Sequence, residues 1–328
     1  MLLFLVALAC TGTIEQPTGH VEPVEVPDVP IQVHISIDDA PWMIQRNFTV
    51  ADEIAVTKAR NEALIAVFAE HEVTASVFFN CSRIRQGDNT VQSWAAAGHT
   101  VGNHTWSHAM LRNMSPDEWV ADARRCHNLL TDILGKPNKW FRYPYLGYGA
   151  SESDRDKATA GLASFGERTA PITLATAEWL HGYTYRKAKR IGDVELEKQV
   201  VADYHRHLDD ALEAGVAAAQ IAPGRPVPQT MLIHLNEINI DELSTLLGRW
   251  KADGVVFIDL ETAMADPVFQ MENHFTQWGG VSWLWRIRAE MDYTEYWFND
   301  EEGRVRALFG EIEVPDMGIP IAPAELEP

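Results

Sequence analysis

Strand-like and helix-like patterns alternate along most of the chain. Residues 33–37 alternate apolar and polar side chains, which predicts a β-strand running into Asp38 and Asp39. Residues 54–70 predict a helix and residues 75–79 the next strand, and the same order recurs over 231–234, 239–253 and 255–258. Such repeated βα units predict an α/β fold with a parallel sheet, whose functional residues lie at the C-terminal ends of the strands.

The clearest predicted helix begins after Ser115. Ser115 can cap it, Pro116 suits its first position, Glu118 completes a capping box and Gly135 ends it. Its apolar positions recur at helical spacing: Trp119, Ala123, Cys126, Leu130 and Ile133. We interpret Cys126 as a buried residue of this helix.

The N-terminus has the pattern of an export signal. Residues 2–9 are apolar, too few to span a bilayer, and small residues precede Cys10 as at a bacterial lipoprotein cleavage site. We therefore expect a signal over 1–9, a lipid anchor on Cys10 and a Pro-rich tether over 10–30. No Lys or Arg precedes the apolar run, so a frayed hydrophobic N-terminus is the alternative.

The composition and net charge of the chain limit the kinds of partner that the protein could bind. The 328 residues are 46% apolar and carry a formal net charge of -20, which describes an acidic globular protein. That charge disfavours nucleic-acid binding, and we expect a monomer. No cysteine pair has zinc-site spacing, and Cys81 and Cys126 are expected to be free thiols, with a disulfide as the less favoured alternative.

Acidic and histidine side chains follow two of the strand-like segments. One of the adjacent carboxylates of Asp38 and Asp39 could bind a cation while the other accepts or donates a proton. The sequence Asp-Asp-Ala-Pro is also typical of a turn, which is the alternative. His104 and His108, at positions i and i+4, would face the same side of a helical turn. With Asp39 they would form a two-His-one-carboxylate metal site, whereas two ordinary histidines are the alternative.

Three further polar positions follow strand-like segments. Arg142 could orient a carboxylate, Glu178-Trp179 follows residues 172–175, and His234 could donate a proton near neutral pH. Each of these signals is weak when taken alone.

The order of these motifs resembles a known family. Asp-Asp, His-x3-His, Arg-x-Pro-Tyr, acidic-Trp and Leu-x-His occur in the order of the five motifs of the polysaccharide deacetylases, the NodB-homology or carbohydrate esterase 4 family. The resemblance covers residues 31–265, and residues 98–108 are similar to the second motif with its lead-in strand. It implies a distorted (β/α)7 barrel of the NodB type with the active site at the strand C-termini.

The resemblance also implies a role for each motif residue. Asp39, His104 and His108 would hold one divalent metal ion, most often Zn2+, and Asp38 would be the general base oriented by Arg142. The Tyr145 backbone N–H would bind the oxyanion, His234 would be the general acid tuned by Glu178, and Trp179 and Leu232 would line the acetyl pocket.

Two residues depart from the family pattern. Ala40 stands where the first motif usually has Gly, so we expect the loop to differ locally, and Glu178 replaces the usual Asp. Residues 266–328, with Trp278, Trp283, Trp285 and Trp297, are expected to pack on the barrel and to end in a loose acidic tail.

The leading hypothesis is a metal-dependent deacetylase of N-acetylated glycans, of the peptidoglycan or chitin type, at the bacterial cell envelope. An O-acetyl xylan esterase with the same site is the main rival. A glycan-binding lipoprotein without catalysis is the second alternative, motivated by Ala40, Glu178 and the eleven Trp. Phosphoryl transfer with Asp38 as nucleophile is weaker, because the chain lacks a phosphate-cradling Gly-rich loop.

Overall fold

The computed structural model describes residues 29–41, 49–276, 279–290 and 296–309. The predicted signal, the lipidation site at Cys10, most of the tether, Trp278 and the acidic tail lie outside these residues. Among the helices in the described part of the chain, none is both long and apolar enough to cross a bilayer.

Strands and helices alternate over most of the described residues, as the pattern predicts. The strands are β1 (Gln32–Ala40), β2 (Ser76–Phe79), β3 (Thr100–Asn103), β4 (Trp140–Phe141), β5 (Arg168–Thr169), β6 (Gln229–His234) and β7 (Val256–Phe257). The helices are α1 (Val50–Glu70), α2 (Thr90–Ala96), α3 (Pro116–Leu134), α4 (Glu152–Ala163), α5 (Glu178–Ile191), α6 (Val194–Ile221), α7 (Glu237–Ala252), α8 (Leu260–Met264), α9 (Trp283–Arg286) and α10 (Trp297–Phe309). The exceptions to the alternation are that α6 follows α5 directly and that three helices follow the last strand of the described residues.

All seven strands pair in parallel in one sheet. The order is β5-β4-β3-β2-β1-β6, and β7 pairs with the start of β1. β1 is therefore central, and its residues from Val33 to Ala40 are all buried. This α/β architecture confirms the predicted fold class.

The sheet is not fully closed within the described residues. Residues 172–175, predicted to be a strand, form only one isolated bridge, between Leu174 and Met231 of β6. The Thr173 amide also donates to the Thr230 carbonyl at 3.0 Å, so this segment lies beside β6. A short irregular stretch thus lies beside β6 where a regular strand was predicted, and the barrel stays open on this side within the described residues.

Helix α3 has the predicted ends. Ser115 accepts from the Glu118 amide, Glu118 accepts from the Ser115 amide, and Gly135 ends the helix in the left-handed region at φ 66°. Cys126 is buried on this helix, as predicted.

The expectation that Cys81 and Cys126 are free thiols is wrong. The two residues are joined by a disulfide, with their Cα atoms 5.3 Å apart. Cys81 begins a short 3-10 turn after β2 that packs against α3, which brings together two residues 45 positions apart. Both side chains are buried, so burial was inferred correctly and pairing was not.

The described residues beyond 265 contact the barrel at several points. The Trp283 amide donates to the Ile172 carbonyl at 2.7 Å, and Ser282 Oγ donates to the Thr173 carbonyl at 2.6 Å. Glu301 of α10 pairs with His207 of α6 at 3.0 Å. These contacts hold the C-terminal segment against the stretch between β5 and α5 and against α6.

Candidate active site

Three potential metal ligands converge at the C-terminal ends of β1 and β3. Asp39 Oδ1 lies 3.0 Å from His108 Nε2 and 3.9 Å from His104 Nε2, and the two Nε2 atoms are 3.2 Å apart. All three side chains are buried. Among the described residues, this is the one cluster of His, Cys, Asp or Glu with such spacing.

The two histidines converge through a loop, which corrects the expectation of a helical turn. Thr105 and His108 have φ values of 65° and 60°, in the left-handed region. The Thr105 amide donates to Asn103 Oδ1 at 2.8 Å, and the His108 amide donates to Thr105 Oγ1 at 2.9 Å. These side-chain bonds hold a backbone that costs about 1–2 kcal/mol per left-handed residue.

The departure at Ala40 has little consequence for the backbone. Asp39, the residue before it, takes the positive φ of 64°, whereas Ala40 remains buried within β1 outside that region. Asp is among the residues that tolerate this conformation best. The Ala in place of Gly is therefore compatible with the strand end.

The site has the donor chemistry of a divalent metal site. His104 Nδ1 donates to the Arg142 carbonyl at 2.9 Å, which leaves Nε2 with its lone pair toward Asp39. Burial lowers the pKa of His108 to about 3 and also lowers that of His104, so both imidazoles are neutral at pH 7. Asp39 Oδ1 is buried and accepts no hydrogen bond, as expected for an atom that binds a metal ion.

Asp38 is held by a buried arginine. Arg142 Nη1 lies 3.3 Å from Asp38 Oδ1 and 3.4 Å from Oδ2. Its Nη2 donates to Ser36 Oγ at 3.0 Å and its Nε to the Ala170 carbonyl at 2.6 Å. The guanidinium is fully buried, so its several bonds fix the orientation of Asp38.

One glycine makes room for the arginine's other contact. The Arg142 guanidinium lies 4.6 Å from the centre of the Phe78 ring. A Cβ atom on Gly102 would lie 2.3 Å from that ring, so the second-motif glycine permits the ring to occupy this position.

His234 and Glu178 form the third part of the site. His234 pairs with Asp38 in the β1–β6 register, and its Nδ1 lies 2.6 Å from Glu178 Oε1. Burial alone would lower the pKa of His234, but the Glu178 carboxylate, together with Asp39 and Asp38, outweighs burial and raises the pKa to about 9. Asn236 and Asn239 donate to Glu178 Oε2 at 2.6 and 3.0 Å.

Glu178 is the first residue of α5, and the start of this helix is itself anchored. The Ala177 amide donates to His207 Nε2 at 2.8 Å, and His207 Nδ1 donates to Glu301 at 3.0 Å. Trp179, one residue further along, packs against an apolar cluster that contains Leu232, Leu146, Phe275 and Tyr296.

Tyr145 lies beside the metal cluster. Its ring centre is 4.5 Å from that of His108, and its backbone is left-handed at φ 56°. The structure therefore brings together Asp38, Asp39, His104, His108, Arg142 and Tyr145 with the Glu178–His234 pair.

Sequence reasoning missed four residues that support the site: Ser36, Arg83, Asn236 and Asn239. Arg83 Nη1 lies 3.3 Å from Asp39 Oδ1 and donates to the Asp39 carbonyl at 3.2 Å. The asparagines could have been found from their places just after His234 at the start of a predicted helix. Nothing in the sequence pattern singles out Ser36 or Arg83.

Comparison with known proteins gives the family. Residues 28–161 match the model of the polysaccharide deacetylase family. These residues belong to the polysaccharide deacetylase family. The matched stretch contains Asp38, Asp39, His104, His108 and Arg142, whereas Glu178, Trp179, Leu232 and His234 lie beyond it.

Curated relatives that match parts of the chain occur in fungi and bacteria. The chain is 26% identical over 182 residues to chitin deacetylase 1 of Cryptococcus neoformans, covering 51% of this chain and 37% of that protein. It is 32% identical over 76 residues to a peptidoglycan-N-acetylglucosamine deacetylase of Bacillus cereus, covering 23% and 28%. The matched parts thus span well under half the length of these relatives.

A solved structure shares the fold. The chitin deacetylase of Colletotrichum lindemuthianum superposes with a TM-score of 0.50 at 17% identity, covering 72% of this chain and 88% of that chain. The predicted NodB-type fold is thereby confirmed.

Proposed function

We propose that this protein is a metal-dependent deacetylase of N-acetylated glycans. The observation that carries the proposal is the convergence of Asp39, His104 and His108 beside Asp38. Asp38 itself is oriented by a buried arginine and pairs in register with His234. Hydrolysis of an acetamide needs a polarised carbonyl, an activated water and a proton for a poor leaving group.

The metal ion, for which we propose Zn2+, would be bound by the three convergent side chains. When bound, it supplies a Lewis acid that polarises the acetyl carbonyl. Two neutral imidazoles and one carboxylate, with positions left for water and substrate, suit a catalytic zinc site.

The residues of the chain supply the proton transfers. Asp38 accepts a proton from the attacking water as the water oxygen bonds to the acetyl carbon. His234, protonated at neutral pH because of Glu178, donates its Nε2 proton to the amine nitrogen as the C–N bond breaks. The products are acetate and the free amine, and the Tyr145 amide is the proposed donor to the oxyanion.

We propose a peptidoglycan or chitin-type oligosaccharide as the substrate. The named fungal and bacterial relatives act on such N-acetylated polymers. O-acetylated xylan would need the same proton transfers with a better leaving group, so ester cleavage alone would not identify the natural substrate.

We further propose that the protein is anchored at the bacterial cell envelope by a lipid on Cys10. The apolar run at 2–9 supports this, and so does a disulfide, which persists in oxidising compartments. Cys10→Ala should shift the full-length protein from the membrane to the soluble fraction and abolish labelling by a fatty-acid analogue. Membrane retention of the unlabelled variant would contradict the anchor.

Acetate release by the full-length protein tests the proposed activity. Chitin oligosaccharides, peptidoglycan fragments and acetylated xylan are each assayed after chelation and again after zinc addition. We expect release from an N-acetyl substrate that is lost on chelation and restored by zinc. If zinc-loaded protein released no acetate from any substrate, and still bound glycan without metal, the result would contradict the proposal and favour a binding protein.

A further inference from the structure

Two consecutive residues at the candidate site have strained backbones. Tyr145 and Leu146 have φ values of 56° and 52°, in the left-handed region, although neither is glycine. The Tyr145 ring lies against the metal-ligand candidate His108, with the ring centres 4.5 Å apart. Such a conformation persists only where the surroundings hold it.

Part of what holds it comes from a segment 134 to 141 positions further along the chain. We name residues 279–286 the clamp segment. The Gly280 amide donates to the Tyr145 carbonyl at 2.9 Å. A Cβ atom on Gly279 would lie 2.0 Å from the same carbonyl oxygen, so glycine is required for this close approach.

The next backbone carbonyl is held by a buried arginine of the same segment. Arg286 Nη2 donates to the Leu146 carbonyl at 2.6 Å, while its Nη1 and Nε donate to the carbonyls of Phe275 and Val281 at 2.7 and 2.9 Å. The side chain is 1% exposed and stacks on the Tyr148 ring at 4.4 Å. The guanidinium therefore holds the strained turn at a fixed distance from the clamp segment.

The clamp segment is itself fixed to the barrel. Ser282 and Trp283 bond to the backbone of residues 172 and 173, as described above. Tyr296 Oη donates to the Gly280 carbonyl at 2.9 Å and accepts from the Ser282 amide at 2.9 Å. Because the clamp segment is fixed to the barrel, its bonds to residues 145 and 146 hold the Tyr145 backbone in a fixed position.

We propose that the clamp segment is a positioning element of the active site. Gly279, Gly280 and Arg286 hold the left-handed backbone of Tyr145 and Leu146 against His108, and so set the direction of the Tyr145 amide. This inference rests on the proposed function, in which that amide stabilises the oxyanion. The clamp residues lie outside the stretch that matches the family model. In this proposal they affect catalysis through Tyr145, without touching the substrate.

Gly279→Ala in the full-length protein tests the proposal, with Gly303→Ala as the matched control. A Cβ atom at Gly303 meets nothing within 4 Å. We expect kcat of the Gly279 variant to fall by about 10- to 100-fold, with KM and bound zinc unchanged, because a displaced amide weakens only the transition state. The Gly303 variant should match the wild type.

A second readout is independent of activity. Selective 15N labelling of the eight tyrosines gives one amide resonance each, and Tyr145→Phe identifies that of residue 145. We expect this resonance to move in the Gly279→Ala and Arg286→Lys variants and to stay in the Gly303 variant. If the wild type releases no acetate, the proposed function fails, and this resonance alone decides whether the clamp positions Tyr145.

Two results would overturn the inference. One is a folded Gly279→Ala protein with wild-type kcat and an unmoved Tyr145 resonance. The other is loss of bound zinc or a raised KM together with the fall in kcat, since a general distortion of the site would then explain the result. If the Arg286→Lys variant does not fold, the Gly279→Ala variant alone is sufficient to test the proposal.

Discussion

Glu178 Oε1 lies 2.6 Å from His234 Nδ1, and this bond joins the first residue of α5 to the last residue of β6. The carboxylate is fully buried, and its other oxygen accepts from Asn236 and Asn239. The family usually has the shorter Asp at this position, and here the longer Glu still reaches the histidine. The pair contributes to a raised pKa of about 9 for His234, which keeps the histidine protonated at neutral pH for the proton donation that we propose.

The pH profile should therefore depend on Glu178. In the wild type, activity should fall as the pH rises through about 9, because His234 then loses the proton that it donates. Glu178→Gln removes the charge that offsets burial, so the fall should move to lower pH by about two units or more. The measurement is kcat against pH for acetate release.

Glu213→Gln is the matched control for this shift, because Glu213 is exposed on α6. Its basic limb should coincide with that of the wild type. An unmoved basic limb in a folded Glu178→Gln protein would exclude Glu178 as the residue that raises the pKa of His234.

Metal binding should require each of the three convergent side chains. Asp39→Asn, His104→Gln and His108→Gln should each reduce zinc, measured by elemental analysis, from about one ion per chain to near zero. Zinc at about 100 times its dissociation constant should stabilise the wild type by about 2.7 kcal/mol and raise its Tm. His71→Gln, a partly exposed histidine that bonds Ser244, should keep both effects. Full zinc occupancy in the Asp39 variant would place the metal elsewhere.

Two helical glycines should respond to alanine in opposite directions. A Cβ atom on Gly182 would lie 2.8 Å from Asn236 Nδ2, the donor to Glu178, whereas one on Gly248 meets His71 at an ordinary 3.4 Å. Gly182→Ala should lose about 1–2 kcal/mol of unfolding free energy with a lower kcat, because the asparagine amide is displaced. Gly248→Ala should gain up to about 1 kcal/mol from helix propensity. Denaturant titration checks both, and a stabilised, fully active Gly182 variant would refute the assigned role of Asn236.

Removal of the disulfide should destabilise the protein without removing its chemistry. Its half-cystines are 45 positions apart, a loop for which chain entropy suggests about 4 kcal/mol. The double variant Cys81→Ser, Cys126→Ser should therefore unfold at lower denaturant yet bind zinc while folded. Free thiols in the unreduced, denatured wild type would show that the pair is not bonded.

The sequence was sufficient to predict the regular elements near the site. Alternation in β1 and the capping box of α3 are local signals, and both strand and helix formed where those signals lie. Parallel strands present their C-terminal ends at one edge, and the resemblance of the motif order to the polysaccharide deacetylases then implied which side chains would meet there.

The rest depends on contacts between distant segments. The disulfide joins a turn after β2 to α3, and the clamp segment reaches Tyr145 from the C-terminal region. The left-handed backbones of Thr105 and His108 replaced the predicted helical turn because bonds from Asn103 and Thr105 stabilise them. Neither periodicity nor composition encodes such pairings.

Asp38→Asn tests the central claim most directly. Its carboxylate lies beside the metal cluster and is held by Arg142, and the amide keeps the shape while losing the basic oxygen. Acetate release and bound zinc are measured on the same preparation of the full-length variant. The account predicts that release falls at least about 100-fold while zinc stays bound. Wild-type acetate release by a zinc-loaded Asp38→Asn protein would contradict it.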